Sequence, residues 1–410
     1  KGREKAHEVR GERGSAAGSV HGGFEAALMA YGVYVHIPFC RKKCAYCDFP
    51  SQAGTKVQMA DYTAALCQEM RERGPEIAAY GPAATAYIGG GTPTALPISL
   101  LSRVLLTLKA VVPFSPEAEV TVEVNPGTVD LEYLTALHTL GVTRLSVGAQ
   151  SFEDRFLARI GRIHTAREAE DAVRMAQKAG FRVSLDLMYG LPGQALADLK
   201  DSVARAAALG IGHISIYGLA VEDGTPFACM EEAGRLHLPT DDECGDMYDY
   251  ITAELPRLGY RRYEISNYAK AGEESRHNLA YWQDVPYIGL GAAAHSYWHG
   301  RRTENEQDLC SYIACIEGGL SPAREEEPCS RERHIEEFAF LALRTADGID
   351  KKRFRGTFAS DVHEVYGEVI ARLQAAGLVE ETAVSIRLTE QGMKFGNRVF
   401  EAFLLERDEA

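Results

Sequence analysis

No apolar run in this 410-residue sequence approaches the roughly 20 residues needed to cross a bilayer as a helix. A surplus of positive charge is also missing. The formal net charge is −14, which repels phosphate backbones and argues against non-specific nucleic-acid binding. The first 30 residues contain no apolar signal core and carry Glu4, Glu8 and Glu12, so they do not read as a secretory or transit peptide. Their small and polar residues make 1–28 a disordered leader, or an artefact ahead of a start at Met29. A disulfide framework is absent too. The nine cysteines are odd in number, and Cys67, Cys229, Cys244, Cys310, Cys315 and Cys329 are scattered. They are expected to be free thiols in a reducing cytoplasm.

What is present is an alternation. β-Branched runs at 32–37, 84–90, 119–124, 143–149, 182–190 and 213–219 alternate with apolar-periodic stretches at 57–72, 97–111, 130–140, 166–179 and 195–209. Strand–helix repeated about six times predicts a parallel sheet, either barrel-like or doubly wound. The placement of the chemically suggestive residues favours the barrel. Three thiols follow the first strand, "GGGTPT" (89–94) ends the second, and Glu123 lies late in the third. Gln150 follows the fourth, Asp186 lies on the fifth and Tyr217 late on the sixth. In a βα barrel the carboxyl ends of all strands share one face, whereas a doubly wound sheet spreads them along a crevice.

Beyond 220 the pattern loosens into a helix (240–256), a strand (261–266) and an irregular stretch (267–300). The expected division is a barrel with its extension over 29–300, a connecting segment over 301–328 and a compact unit over 329–410. That unit reads as a helix (332–345), a basic turn "KKRFR" (351–355), a helix (360–376), a hairpin within 377–392 and a final helix. The order is winged-helix-like. With 12 basic against 15 acidic residues in 331–410, it is expected to be a structural cap rather than a DNA reader.

"HIPFCRKKCAYCDF" spaces Cys40, Cys44 and Cys47 four and three apart, with no fourth thiol beside them. The same spacing would put three core cysteines on one helix face. Pro38, Pro50 and the charged Arg41-Lys42-Lys43 argue instead for a loop leaving a strand, with cations that favour thiolate. Such a loop is a metal site. Zinc would need His36 as its fourth ligand. An iron–sulfur cubane on three thiolates would keep one iron open.

CxxxCxxC after the first strand of a βα barrel resembles the radical S-adenosylmethionine (SAM) superfamily. The resemblance implies an α/β fold, a partial TIM-type (β/α)6 barrel, with a [4Fe–4S] cluster on Cys40, Cys44 and Cys47. It also implies that the open iron chelates SAM and that the reduced cluster cleaves its S–C5′ bond to a 5′-deoxyadenosyl radical. "IGGGTPTAL" (88–96) matches the glycine-rich SAM site and brings in Gly90, Gly91 and Thr92. Glu123, Gln150, Arg162 and Asp186 match further SAM contacts. Arg162 is suited to a carboxylate and Asp186 to ribose hydroxyls. Tyr34 and Tyr46 are placed beside the cluster.

Over Tyr31 to Phe403, "YVHIPFCRKKCAYCDF", "GGGTPT", "GAQSF", "GRIHT", "DLMYGLPGQ" and "YIGLGAAAHS" together resemble oxygen-independent coproporphyrinogen III oxidase and its relatives, including a HemN-type C-terminal domain. The oxidase branch carries a further cysteine two residues after the third, and here Phe49 stands there. The haem-chaperone branch matches "CDF" and carries HNxxYW, here His277, Asn278, Tyr281 and Trp282. That branch implies haem as cargo, delivered to apo-haemoproteins of respiration. An imidazole suits haem iron and the aromatics suit the macrocycle. His295 and His299 are alternative ligands, and a capping turn followed by core aromatics is the competing reading of the motif. Oxidation of coproporphyrinogen III and a zinc-bound regulator are the alternative functions. A homodimer and peripheral membrane association stay open at this stage.

Overall fold

The computed structural model describes residues 31–325 and 329–405, so the expected leader lies outside the described residues. Six strands stand where the periodicity places them: β1 (Gly32–Ile37), β2 (Ala83–Gly90), β3 (Phe114–Val124), β4 (Arg144–Gln150), β5 (Arg182–Tyr189) and β6 (His213–Gly218). Each is parallel to the next, and they lie side by side in chain order. A doubly wound sheet reverses its order at a switch point. This sheet never reverses, so it winds one way as a partial barrel.

The helices α1 (Lys56–Tyr80), α2 (Ile98–Val111), α3 (Leu131–Thr139), α4 (Ala166–Lys178) and α5 (Leu196–Ala208) fill the connections. α1 and α4 start at capping boxes, Thr55 with Gln58 and Thr165 with Glu168, each worth about 1 kcal/mol. Alternation sorts the strand residues by period two. On β1, Val33, Val35 and Ile37 are fully buried in the apolar core. Tyr34 lines a cavity, together with Tyr87, Glu123, Ser146 and Asp186 of the next strands. The barrel is therefore apolar outside, under its helices, and polar within.

Segment 267–300 corrects the sequence reading. After α6 (Asp241–Arg257), the expected strand 261–266 shrinks to β7 (Arg261–Arg262). Glu264 accepts the Ser266 N–H at 2.9 Å, a local bond that competes with a ladder. Then come β8 (Asn267–Ala269), α7 (Arg276–Trp282), β9 (Tyr287–Leu290) and β10 (His295–Trp298), where no regular structure is expected. β8 pairs antiparallel with β6 and β9 pairs parallel with β1, so both rims of the barrel carry an added strand. Segment 301–325 forms β11 (Arg301–Asn305), α8 (Leu309–Glu317) and β12 (Ala323–Glu325). The sheet continues antiparallel through β10, β11 and β12, and Leu309, Tyr312 and Ile316 join the barrel core.

The C-terminal unit holds α9 (Arg331–Leu343), β13 (Ile349–Asp350), α10 (Lys351–Phe358), α11 (Val362–Ala375), β14 (Val379–Glu381) and β15 (Ser385–Leu388). Two short helices, Glu390–Lys394 and Gly396–Ala402, complete it. The expected hairpin is present as β14 and β15, with β13 on the other side of β15. The expected basic turn "KKRFR" is instead the start of α10. Asp350 caps it by accepting the Arg353 N–H, and Phe354 and Phe358, one turn apart, enter a second core with Phe338, Tyr366 and Phe403. Arg262–Glu390, Arg302–Glu337 and Lys394–Asp249 ion pairs join this unit to the barrel and its extension. Among the described residues no helix is long and apolar enough to cross a membrane.

Candidate functional site

The loop after β1 is fastened from several sides. Phe39–Cys40 pairs with Gln52–Ala53. Ala45 donates its N–H to the Ile160 carbonyl and accepts the Phe227 N–H, both at 3.0 Å. Cys40, Cys44 and Cys47 are thus held, half-buried and unbridged, on one wall of a cavity of about 550 Å³ at the carboxyl ends of the strands. Cys40 Sγ lies 3.5 Å from Thr92 Oγ1, and Arg162 Nη1 donates to Cys44 Sγ at 3.6 Å.

The fourth zinc ligand considered from sequence is committed elsewhere. His36 Nδ1 meets the Tyr34 hydroxyl and Nε2 meets the Pro50 carbonyl, both at 2.9 Å. Among the described residues no three His, Cys, Asp or Glu side chains are gathered as a ready-made metal site. Thiolates of a cuboidal cluster each hold a different iron and stand further apart than the ligands of one ion. Three free thiols around one pocket, with His36 held by other partners, make a donor set that fits a cluster.

The glycines of "GGGTPT" are needed for packing. Gly90 has φ +110°, and a Cβ there would sit 2.6 Å from the His36 ring. A Cβ on Gly91 would sit 2.8 Å from the Phe39 carbonyl oxygen. The end of β2 can press against the thiol loop only because both lack side chains.

Two carboxylates face the cavity. Glu123 accepts from the Tyr87 hydroxyl at 2.8 Å and from the Gly90 N–H at 3.1 Å. Burial raises its pKa to about 7, and nearby Asp186 adds to the rise. Asp186 accepts from the Ser146 hydroxyl at 3.1 Å, and burial raises its pKa to about 6. Both would gain by meeting a cationic ligand. Gln150 follows a register slip in β4 and takes φ +67°, in the left-handed region, which turns it out of the strand. Arg162 donates to the Gly148 carbonyl at 2.5 Å, while its buried Nε has no partner. An unpaired buried guanidinium N–H is a donor held ready for an anion. The donor and acceptor set fits SAM.

α7 carries the HNxxYW residues along the same cavity. His277 is fully buried. Its Nδ1 meets the Thr85 hydroxyl at 2.7 Å, its Nε2 meets the Tyr281 hydroxyl at 2.9 Å, and its ring stacks on Tyr87 at 5.2 Å. Burial lowers its pKa to about 3. Both nitrogens are in use, so ligation of iron would require one of these bonds to break. His295 and His299 are outward-facing and do not line this cavity.

Thirteen of the residues singled out from sequence, Tyr34, Cys40, Cys44, Tyr46, Cys47, Gly90, Gly91, Thr92, Glu123, Gln150, Arg162, Asp186 and His277, line this one cavity, whereas His36, His295 and His299 do not. Sequence reasoning missed Tyr87, Ser146 and Arg344. Tyr87 could have been found, since it alternates with Gly89 toward the inside of β2. Arg344 belongs to the C-terminal unit and reaches the cavity only through tertiary packing.

The Radical SAM superfamily matches residues 34–206 and the HemN C-terminal domain matches 329–395. The heme chaperone HemW of Bacillus subtilis (strain 168) is 40% identical, over 91% of this chain and 99% of its own. The chain belongs to the HemW family. HemW of Escherichia coli (strain K12) is 34% identical, over 92% and 99% of the two chains. The solved structure of coproporphyrinogen III oxidase (HemN) from Escherichia coli is similar at TM-score 0.80. It is 23% identical and covers 92% of this chain and 90% of that one, a likeness of fold. In this member of the HemW family, α7 with HNxxYW falls between the two matched domains and outside both.

Proposed function

We propose that this chain is a cytoplasmic haem chaperone. It holds a [4Fe–4S] cluster on Cys40, Cys44 and Cys47, and SAM on Tyr34, Tyr46, Gly90, Gly91, Thr92, Glu123, Gln150, Arg162 and Asp186. It binds haem as cargo and delivers it to apo-haemoproteins, respiratory ones in particular. The similarity to heme chaperones supports the cargo. The observation that carries the reading is that the thiol loop and α7 share one cavity.

When bound, the cluster supplies an iron with a free coordination position and a removable electron. This chain's residues hold and orient the partner. The Glu123 and Asp186 carboxylates take cationic and hydroxyl groups, and Arg162 takes a carboxylate. The Tyr87–His277–Tyr281 contacts fix the aromatic wall on which a macrocycle can rest. Phe49, where the oxidase branch has a cysteine, is exposed at the cavity rim.

Anaerobic reconstitution should give about four irons and four sulfides per chain. Haem titration should saturate, and incubation with SAM, reductant and coproporphyrinogen III should leave that porphyrinogen intact. Formation of protoporphyrinogen would overturn the chaperone reading in favour of the oxidase.

A further inference from the structure

The thiols, carboxylates and Arg162 occupy one part of the cavity. Part of its remaining wall comes from outside the six βα units: Glu264, Asn267, Asn278, Trp282 and, from the end of α9, Arg344. Polar groups there are unmatched. Arg344 Nε and Trp282 Nε1 are both buried with no hydrogen-bond partner. The Arg344 guanidinium lies on the Trp282 ring, 4.4 Å from its centroid. The ring holds the cation in place while the unpartnered Nε–H remains for an anion. The buried Glu264 carboxyl lies near enough to feel the Arg344 charge, but it accepts from the Ser266 N–H at 2.9 Å, and Asn267 Oδ1 on the same wall is also unpartnered. Two buried N–H donors, one of them charged, left unpaired beside each other cost free energy that a bound acceptor would recover.

The surroundings indicate what carries that acceptor. Tyr281 and Trp282 line this cavity and also a neighbouring cleft of about 380 Å³ with Tyr287, Tyr297 and Phe340, which Asp284, Arg302 and Glu337 line as well. An apolar aromatic wall running up to an unpaired guanidinium suits a flat apolar ligand with an acidic edge. Resting on the haem-chaperone reading, we infer that Arg344 and Trp282 form a carboxylate subsite that receives a propionate of the haem. Arg344 is then the residue by which the C-terminal unit grips the cargo, and haem enters edge-first against α7.

The test needs no mutation for its first arm. Haem and haem dimethyl ester, whose propionates are uncharged, are each titrated into reconstituted protein and followed in the Soret band. Haem should bind about tenfold more tightly than the diester, the scale of a charge-assisted hydrogen bond. Arg344→Met should lose about tenfold for haem and nothing for the diester, with SAM affinity unchanged, and Arg344→Lys should recover part of the loss. Equal binding of haem and diester by the wild type overturns the subsite and leaves the chaperone reading standing. So does an equal loss of both ligands in Arg344→Met, or a loss of SAM affinity instead. Failure of the wild type to bind either ligand overturns both readings.

Discussion

Tyr87→Phe removes one oxygen from the cavity wall and makes a sharp prediction. The Tyr87 hydroxyl donates to Glu123 at 2.8 Å, and that bond holds down a carboxyl whose pKa burial has raised to about 7. A hydrogen bond to a charged group contributes about 1.5–3 kcal/mol. Spread over roughly 1.4 kcal/mol per unit, its loss should raise the Glu123 pKa by about one to two units. The ionised carboxylate is the form that attracts the cationic groups of SAM, so SAM affinity should rise with pH through this pKa. Calorimetric titration from pH 6 to 9 should place the wild-type midpoint near 7 and the Tyr87→Phe midpoint at least one unit higher. The two proteins should converge at the alkaline end, because the phenyl ring still stacks on His277. A loss of affinity that is equal at every pH would mean damage to the wall rather than a shifted carboxylate, and would refute the reasoning.

Three further outcomes are expected. Gly90→Ala places a Cβ 2.6 Å from the His36 ring at φ +110°, so urea unfolding of the apo-protein should show a loss of about 2 kcal/mol or more; an unchanged midpoint contradicts the packing role. Buried Arg144 donates to Glu119 at 3.0 Å, to Ser184 at 2.9 Å and to the carbonyls of Glu273 and Glu274, so Arg144→Met strands a buried carboxylate. It should cost about 3–5 kcal/mol in thermal or chemical unfolding, and a loss below 1 kcal/mol would argue against the pair. The folded pKa of Glu123 lies above its ordinary 4.5, so its stabilising contribution is complete below that value and is lost as pH rises through about 7. The stability of apo Glu123→Gln relative to wild type should therefore rise by up to about 3 kcal/mol between pH 5 and 8; a flat difference rejects the raised pKa.

The barrel was legible because its β-branched runs alternate with apolar-periodic helices, two of which open on capping boxes, so local signals and final packing agree. The thiol loop was legible from spacing and prolines. β9 was not, because "YIGL" has no pattern of its own and becomes a strand by pairing with β1. α10 was hidden by charge: four basic residues masked the Asp350 cap and the Phe354–Phe358 spacing that were present in the chain. His277 lines the cavity, but its two hydroxyl partners, Thr85 and Tyr281, could not be weighed until the fold brought β2 against α7. Arg344 lay furthest from sequence reasoning, being useful only because one domain inserts it into another.

β1 and β6 are each already bonded on their outward sides, to β9 and β8. Neither β1 nor β6 has a free edge to offer the other, and on the β6 side the C-terminal unit is joined by a short antiparallel bridge between Glu264 and Thr345. Widening the molecule there would strain that one bridge and the ring contacts around α7, and would leave the six-strand ladder untouched. If the chain carries haem as proposed, a broad, stiff guest would then be admitted at the cost of one bridge and a few ring contacts, with the six-strand scaffold unbroken.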